Sequence, residues 1–151
     1  MTKQGEKMKA RLRRYHIVFY ELERLDSELK RMKALDESGI DVQKYGHNAE
    51  NVKKLRKKVA VSLFRQKKQK QKELDDIDEM LSKLQKSDRD VLICRYILCL
   101  SWSETFIEMQ KRKHYYSERE LLRLHYSAIE HLASMKKRKE FEQMKKGQKT
   151  S

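Results

Sequence analysis

Arg119 and Arg123 stand one helical turn apart in YSERELLRLHYSAIEHL, the segment from Tyr116 to Leu132. A guanidinium offers two parallel donors that match O6 and N7 of guanine, so a pair at this spacing suits base reading in a major groove. Leu122 and Tyr126 fall on the same outward face with Glu118, and an apolar side chain there suits a thymine methyl or a polymerase surface. Leu121, Leu124, Ala128, Ile129 and Leu132 recur on the opposite face, as a core stripe does. A solvated helix face is the ordinary alternative for both arginines. Just upstream, Lys111, Arg112, Lys113, His114, Tyr116 and Ser117 supply the charges and donors that phosphates accept.

The elements that must hold these residues are marked by caps. Ser117 is followed three residues on by Glu120, and Ser101 by Glu104, so each serine and glutamate can satisfy the other's backbone N–H in a capping box. Glu120 is thus read as a cap first and as an acceptor from cytosine N4 second. Ahead of Ser101, the stretch from Asp90 to Leu100 is apolar nearly all round, with Arg95 its lone charge, which predicts the central helix of a bundle. Ser87, with Asp88 and Asp90 behind it, predicts that helix's start. Trp102 is expected to pack between helices, with its indole N–H able to reach a phosphate, and His125 to be a structural histidine near the buried edge. Cys94 and Cys99 point in different directions on a helix and read as small buried hydrophobes. The cysteines and histidines lack the close paired spacing of a zinc site, so no metal and no cofactor is expected.

The run DVLICRY followed by LSWSE resembles region 4 of bacterial sigma factors, in the form seen in phage late-gene transcriptional regulators of the ArpU/RinA type. Leu84, Arg89, Val91, Leu92, Arg95, Tyr96, Leu100, Ser101 and Glu104 take matching places, and Ala128 and Leu132 match the packing face of the recognition helix. YSERELLRLH is similar to the entry of that helix in the phage regulators. The likeness covers about a third of the chain. It departs at Phe106, where a small residue is usual, and between Met109 and Ser117, where the stretch is longer than in sigma factors. The resemblance implies double-stranded DNA as a partner, activation of late genes, and host RNA polymerase as a further partner.

The remainder of the chain is polar and long in pattern. Of 151 residues, 38% are hydrophobic and 40% charged, with no proline and 4 glycines, which favours an elongated all-α chain over a sheet protein. Tyr15, Val18, Leu22, Leu25, Leu29 and Met32 alternate three and four apart, a heptad seam that needs a partner helix. That partner is either a second stripe of this chain, Val52, Leu55, Val59 and Leu63, folded back as a hairpin, or another copy in a homodimer. The segment Asp36 to Asn48, with two of the glycines, is the candidate loop between them. Between Asn51 and Lys72 every charge is positive, and from Glu73 to Glu79 every charge is negative. The bland reading of the basic run, a solvated connector, ranks first. Leu74, Ile77, Leu81 and Leu84 then resume the heptad. Residues 1–72 are read as a hairpin or coiled-coil arm, 73–135 as a helix-turn-helix domain of sigma region 4 type, and 136–151 as a basic tail that frays.

A net charge of +14 points to a polyanion, because lysine and arginine gain by releasing condensed counterions from nucleic acid. No apolar run approaches the roughly 20 residues that cross a bilayer, and no signal core follows the basic start, so the cytoplasm or nucleoid is expected and no membrane partner, the resemblance implying that of a bacterial host. No phosphate loop, His-Glu metal motif or nucleophile elbow is present, and no enzymatic activity is expected. The reading is a phage or prophage sequence-specific transcription regulator that inserts its last helix into the major groove. Two alternatives stay open: a helical adaptor that binds host RNA polymerase or another protein without reading DNA, and a small terminase-like DNA-packaging subunit.

Overall fold

A computed structural model of the chain describes residues 1–149, and among these residues it contains helices and connections but no strand. In chain order the helices are α1 (Lys3–Arg13), α2 (Tyr15–Ser38), α3 (Ile40–Tyr45), α4 (Ala49–Ser82), α5 (Lys86–Leu92), α6 (Trp102–Lys111) and α7 (Glu118–Lys149). A 3₁₀ turn, Gly46–Asn48, precedes α4, and a π-helical turn, Ile93–Ile97, continues α5. The all-α expectation holds. Among the described residues no helix is long and apolar enough to cross a membrane. The chain forms two compact units, one from Ile17 to Asp75 and one joining residues 1–16 to those from Asp76 onward.

In the first unit α2 and α4 run antiparallel. Asp26 of α2 meets Lys67 of α4 at 2.7 Å, Glu21 meets Lys70, and at the far end Asp36 meets Arg56 at 2.6 Å. The α2 seam is therefore closed within the chain, with Val18 and Leu25 buried and Leu22, Leu29 and Met32 half-buried. On α4 the facing residues are Val52, Arg56, Ala60, Leu63, Lys67 and Lys70; Val52 and Leu63 of the expected stripe face the seam, whereas Leu55 and Val59 remain 63% and 48% exposed. Leu74, farther along α4, is buried as well. Arg56, Lys67 and Lys70 then lie on the seam, where their stems cover apolar surface and their charged ends reach acids.

The expected loop from Asp36 to Asn48 is largely helical. Gly39 and Gly46 adopt positive φ, 70° and 57°, a region an L side chain enters at a cost, and so bracket the short α3. Between them Asp41 is fully buried and binds Arg56 by two bonds, 2.6 Å and 2.7 Å. The paired guanidinium holds the Asp41 carboxyl below its ordinary range.

The second unit is built around Ile77, Leu92, Met109, Leu121, Ile129 and Leu132, all almost fully buried. Met8 and Leu12 of α1 belong to the same core, so residues 1–16 pack with the C-terminal helices instead of forming the start of the arm. Tyr15, expected on the arm seam, packs at this core too, its phenol donating to Asp78 at 2.9 Å. α5 starts at Lys86, one residue before the expected cap, and Ser87 does not cap it. Asp88 is buried and accepts from Nδ1 of His131 at 3.2 Å. Residues 136–149, expected to fray, continue α7, since nothing in MKKRKEFEQMKK breaks a helix; Lys139 approaches Glu79 of α4 at 3.9 Å. The last two residues of that expected tail lie outside the described residues.

Candidate nucleic-acid interface

Both capping boxes form. The Ser101 hydroxyl accepts from Glu104 N–H at 3.2 Å while Glu104 accepts from Ser101 N–H at 3.1 Å, and Ser117 and Glu120 repeat the exchange at 3.2 and 3.4 Å. They set the starts of α6 and α7. The bonds to Ser101 hold the Glu104 carboxyl below its ordinary range. Before α6, the π turn closes with Leu98 N–H bonded to Ile93 C=O and Leu100 N–H to Cys94 C=O, and Cys99 takes a positive φ of 55°. That widened turn buries Cys94 and Tyr96 on the core side and leaves Arg95 half-buried beside α6.

α6 ends in a Schellman motif: His114 N–H bonds to Met109 C=O and Lys113 N–H to Gln110 C=O, both at 2.9 Å. The left-handed position of that motif, usually glycine, is Lys113, with φ 67°. The connection is clamped from α5 by Asp90, which is buried and accepts from Arg112 Nη1 at 3.0 Å and from His114 Nε2 at 2.8 Å. Arg112 also meets Glu108 at 3.3 Å. The residues between α6 and α7 thus form a braced turn. Phe106 sits partly buried against the core.

The candidate phosphate contacts separate accordingly. Lys111 and Lys113 are exposed, whereas Arg112 and His114 are engaged by Asp90, Tyr116 packs against the core and Ser117 caps α7. Their neighbour Tyr115, in the same basic and aromatic run KRKHYY, is 76% exposed. On α7, Arg119 and Arg123 are exposed and neither pairs with a carboxylate among the described residues. Leu122 is 41% exposed between them. Arg119 and Leu122 also line an open cleft of about 390 Å³ with Trp102, Glu118 and Leu121, which joins the start of α6 to the start of α7.

Tyr126, one turn farther on, is shared with α1. Lys9 Nζ lies 5.4 Å from the centre of its ring. α1 is seated on α7 by Glu130, which accepts from Thr2 N–H at 3.0 Å and from the Thr2 hydroxyl at 2.8 Å, while that hydroxyl caps α1 through Gly5 N–H. A Cβ on Gly5 would overlap Glu130 Oε1 and the Met1 side chain, so the Glu130 carboxylate would have to move from its place on Thr2. These bonds hold the Glu130 carboxyl low. No sequence spacing joins α1 to this region, because its partners Tyr126 and Glu130 lie more than a hundred positions away. The only local signals were Gly5 and the apolar pair Met8 and Leu12.

His125 is buried behind this face. Its Nε2 and the Tyr96 hydroxyl share a hydrogen bond of 2.6 Å, Tyr96 stacks on it at 5.5 Å, and Trp102 meets it edge-on at 5.2 Å. Burial first, then the positive charges of Lys9, Arg95 and Arg13, push its pKa down to about 4, so the imidazole is neutral. Arg95 lies 4.3 Å over the Trp102 ring and donates to Leu100 C=O at 2.6 Å. His125, Tyr96, Trp102 and Arg95 therefore tie the π turn to the starts of α6 and α7. Cys94 and Cys99 are unpaired thiols, and among the described residues no three metal-ligating side chains gather.

No protein-family model, no curated protein and no solved structure matches this chain.

Proposed function

We propose that the unit carrying α5 to α7 is a sequence-specific reader of double-stranded DNA, that α7 enters the major groove by its first turns, and that the protein is a phage or prophage transcription regulator activating late genes. The observation that carries the reading is the start of α7: Arg119, Leu122 and Arg123 project together, without carboxylate partners, from a helix capped by Ser117 and Glu120. A base-reading side chain needs that combination of rigid origin and free donors. Lys111, Lys113 and Tyr115 would flank the groove at one end and Lys9 at the other, as phosphate contacts. Activation of late genes rests on the resemblance of DVLICRY, LSWSE and YSERELLRLH alone.

The test is selection of bound duplexes from a random pool at about 0.15 M salt, where non-specific phosphate binding is weakened. Wild type should enrich one motif. The Arg119→Ala, Arg123→Ala variant should lose about 1–3 kcal/mol of discrimination for each arginine removed. Because the α2 seam is occupied within the chain, the motif should be a single half-site without two-fold symmetry. No enriched motif, or one indifferent to both arginines, would overturn the assignment. The cleft of Trp102, Leu121 and Leu122 favours the adaptor as second reading, in which an apolar side chain of host RNA polymerase fills it and both arginines are dispensable.

A further inference from the structure

α4 divides its charges by face. Toward α2, Arg56 is paired with Asp36 and Asp41, Lys67 with Asp26, and Lys70 with Glu21. At about 100° per residue, Lys54, Lys58, Arg65, Lys68 and Lys72 share the opposite face with Val61, about half a turn away from Arg56, Leu63 and Lys67. All five are exposed, and α4 carries no acid between Glu50 and Glu73. Among the described residues none of the five forms an ion pair. Lys68 lies over the ring of Phe64 at 4.9 Å, its only ring contact. Like charges at one-turn spacing, as in Lys54 with Lys58 and Lys68 with Lys72, oppose the helix unless a counter-charge is present. α2 shows the usual remedy: Lys30 pairs with Asp26 and Arg31 with Glu28 one turn away.

We infer that this outer face of α4 is a sequence-independent contact with double-stranded DNA, made to phosphates. The stripe from Lys54 to Lys72 runs about 27 Å at 1.5 Å per residue. A duplex offers about one negative charge per 1.7 Å over that length, and the acids that face α4 between Glu50 and Glu73, namely Glu21, Asp26, Asp36 and Asp41, lie on the seam side, while Glu50 and Asp76 stand one turn beyond the two ends of the stripe. The composition favours phosphates over an acidic protein. Four of the five residues are lysines, which protein interfaces exclude from their centres, and Val61 is the stripe's single apolar residue. Leu55, Val59 and Phe64 lie toward its flanks. The inference shares its partner with the proposed function but none of its residues.

The experiment is a salt titration of affinity for a duplex of arbitrary sequence, with the full chain and a variant carrying Lys54→Gln, Lys58→Gln, Arg65→Gln, Lys68→Gln and Lys72→Gln. Glutamine keeps nearly the same helix propensity. The slope of log affinity against log salt should become shallower by roughly two to four, at about 0.9 per phosphate released, with affinity at about 0.1 M salt falling at least tenfold. The same change should appear in an Arg119→Ala, Arg123→Ala background, so loss of base reading leaves this result standing and the reverse. An unchanged slope in a variant whose circular dichroism and melting match wild type would refute the inference. So would an equal flattening per charge when Lys136, Arg138, Lys139 and Lys145 of α7 are neutralised, since net charge alone would then drive binding. A larger loss of affinity for polyglutamate than for the duplex would assign the stripe to an acidic protein and overturn it as well.

Discussion

Acidification should weaken the C-terminal unit through His125 before any carboxylate is involved. In an unfolded chain a histidine protonates near its ordinary value of about 6.5, whereas in the fold burial behind Tyr96, Trp102 and α1 lowers it to about 4. Between those values the unfolded chain holds a proton that the folded chain does not. Stability is therefore complete above about pH 6.5, falls as the pH drops toward about 4, and levels off below that as far as this residue is concerned. At about 1.4 kcal/mol per pH unit the fall comes to about 3 kcal/mol, a large share of the roughly 5–15 kcal/mol that holds a domain folded. Trp102, the chain's only tryptophan, has its ring 5.2 Å from the imidazole and reports on this unit. Urea unfolding followed by its fluorescence at pH 7, 6, 5 and 4.5 measures the effect, and His125→Gln, which cannot titrate, should flatten the profile over that window. The carboxyls held low by their partners, such as Glu104 and Glu130, begin to add losses as the pH falls through about 4.5, their value in the unfolded chain, at the acid end of this window. A wild-type stability that does not change between pH 7 and 4.5, or a variant that falls in parallel with it, would refute the reasoning.

Lys113→Gly should stabilise the protein by about 0.5–1 kcal/mol in urea unfolding, because glycine relieves the left-handed position at the end of α6 while adding some unfolded-state freedom. Gly5→Ala should destabilise by about 1 kcal/mol as the new methyl displaces the Glu130 carboxylate from Thr2, and a double-mutant cycle with Glu130→Ala should recover most of that loss. In the arm, the Asp41 carboxyl is held low by Arg56, so its contribution is present above about pH 4 and is lost as the pH falls through its folded value. Amide protection in α3, measured against the intrinsic exchange rate at each pH, should fall on that acidification in wild type and be low at all pH values in Asp41→Asn. Arg123→Lys should relax preference at one base pair by about 1–3 kcal/mol while leaving the salt slope nearly unchanged, as selection and salt titration together would show.

Several structural outcomes were legible in residue order because their causes are local. Ser101 with Glu104 and Ser117 with Glu120 form their capping boxes with partners three residues away, and the stripe of Leu121, Ala128, Ile129 and Leu132 faces the core because helical spacing alone places it there. The outward placement of Arg119, Leu122 and Arg123 follows from the same periodicity. So does the burial of His125, the residue the spacing put at the edge of that stripe.

What misled or stayed hidden depended on distant partners. Leu55 and Val59 have the spacing of a seam but are exposed, because α4 turns Arg56, Lys67 and Lys70 toward the acids of α2. Arg112 and His114 look like phosphate ligands by type, yet the buried Asp90 claims both. No local pattern joins Gly5 to Glu130, or Lys9 to Tyr126. Local hydrogen bonding and helical periodicity thus determined where helices begin and which faces they bury. Only tertiary packing decided which side chains remain available to a ligand, since that depends on which charge another helix brings within reach.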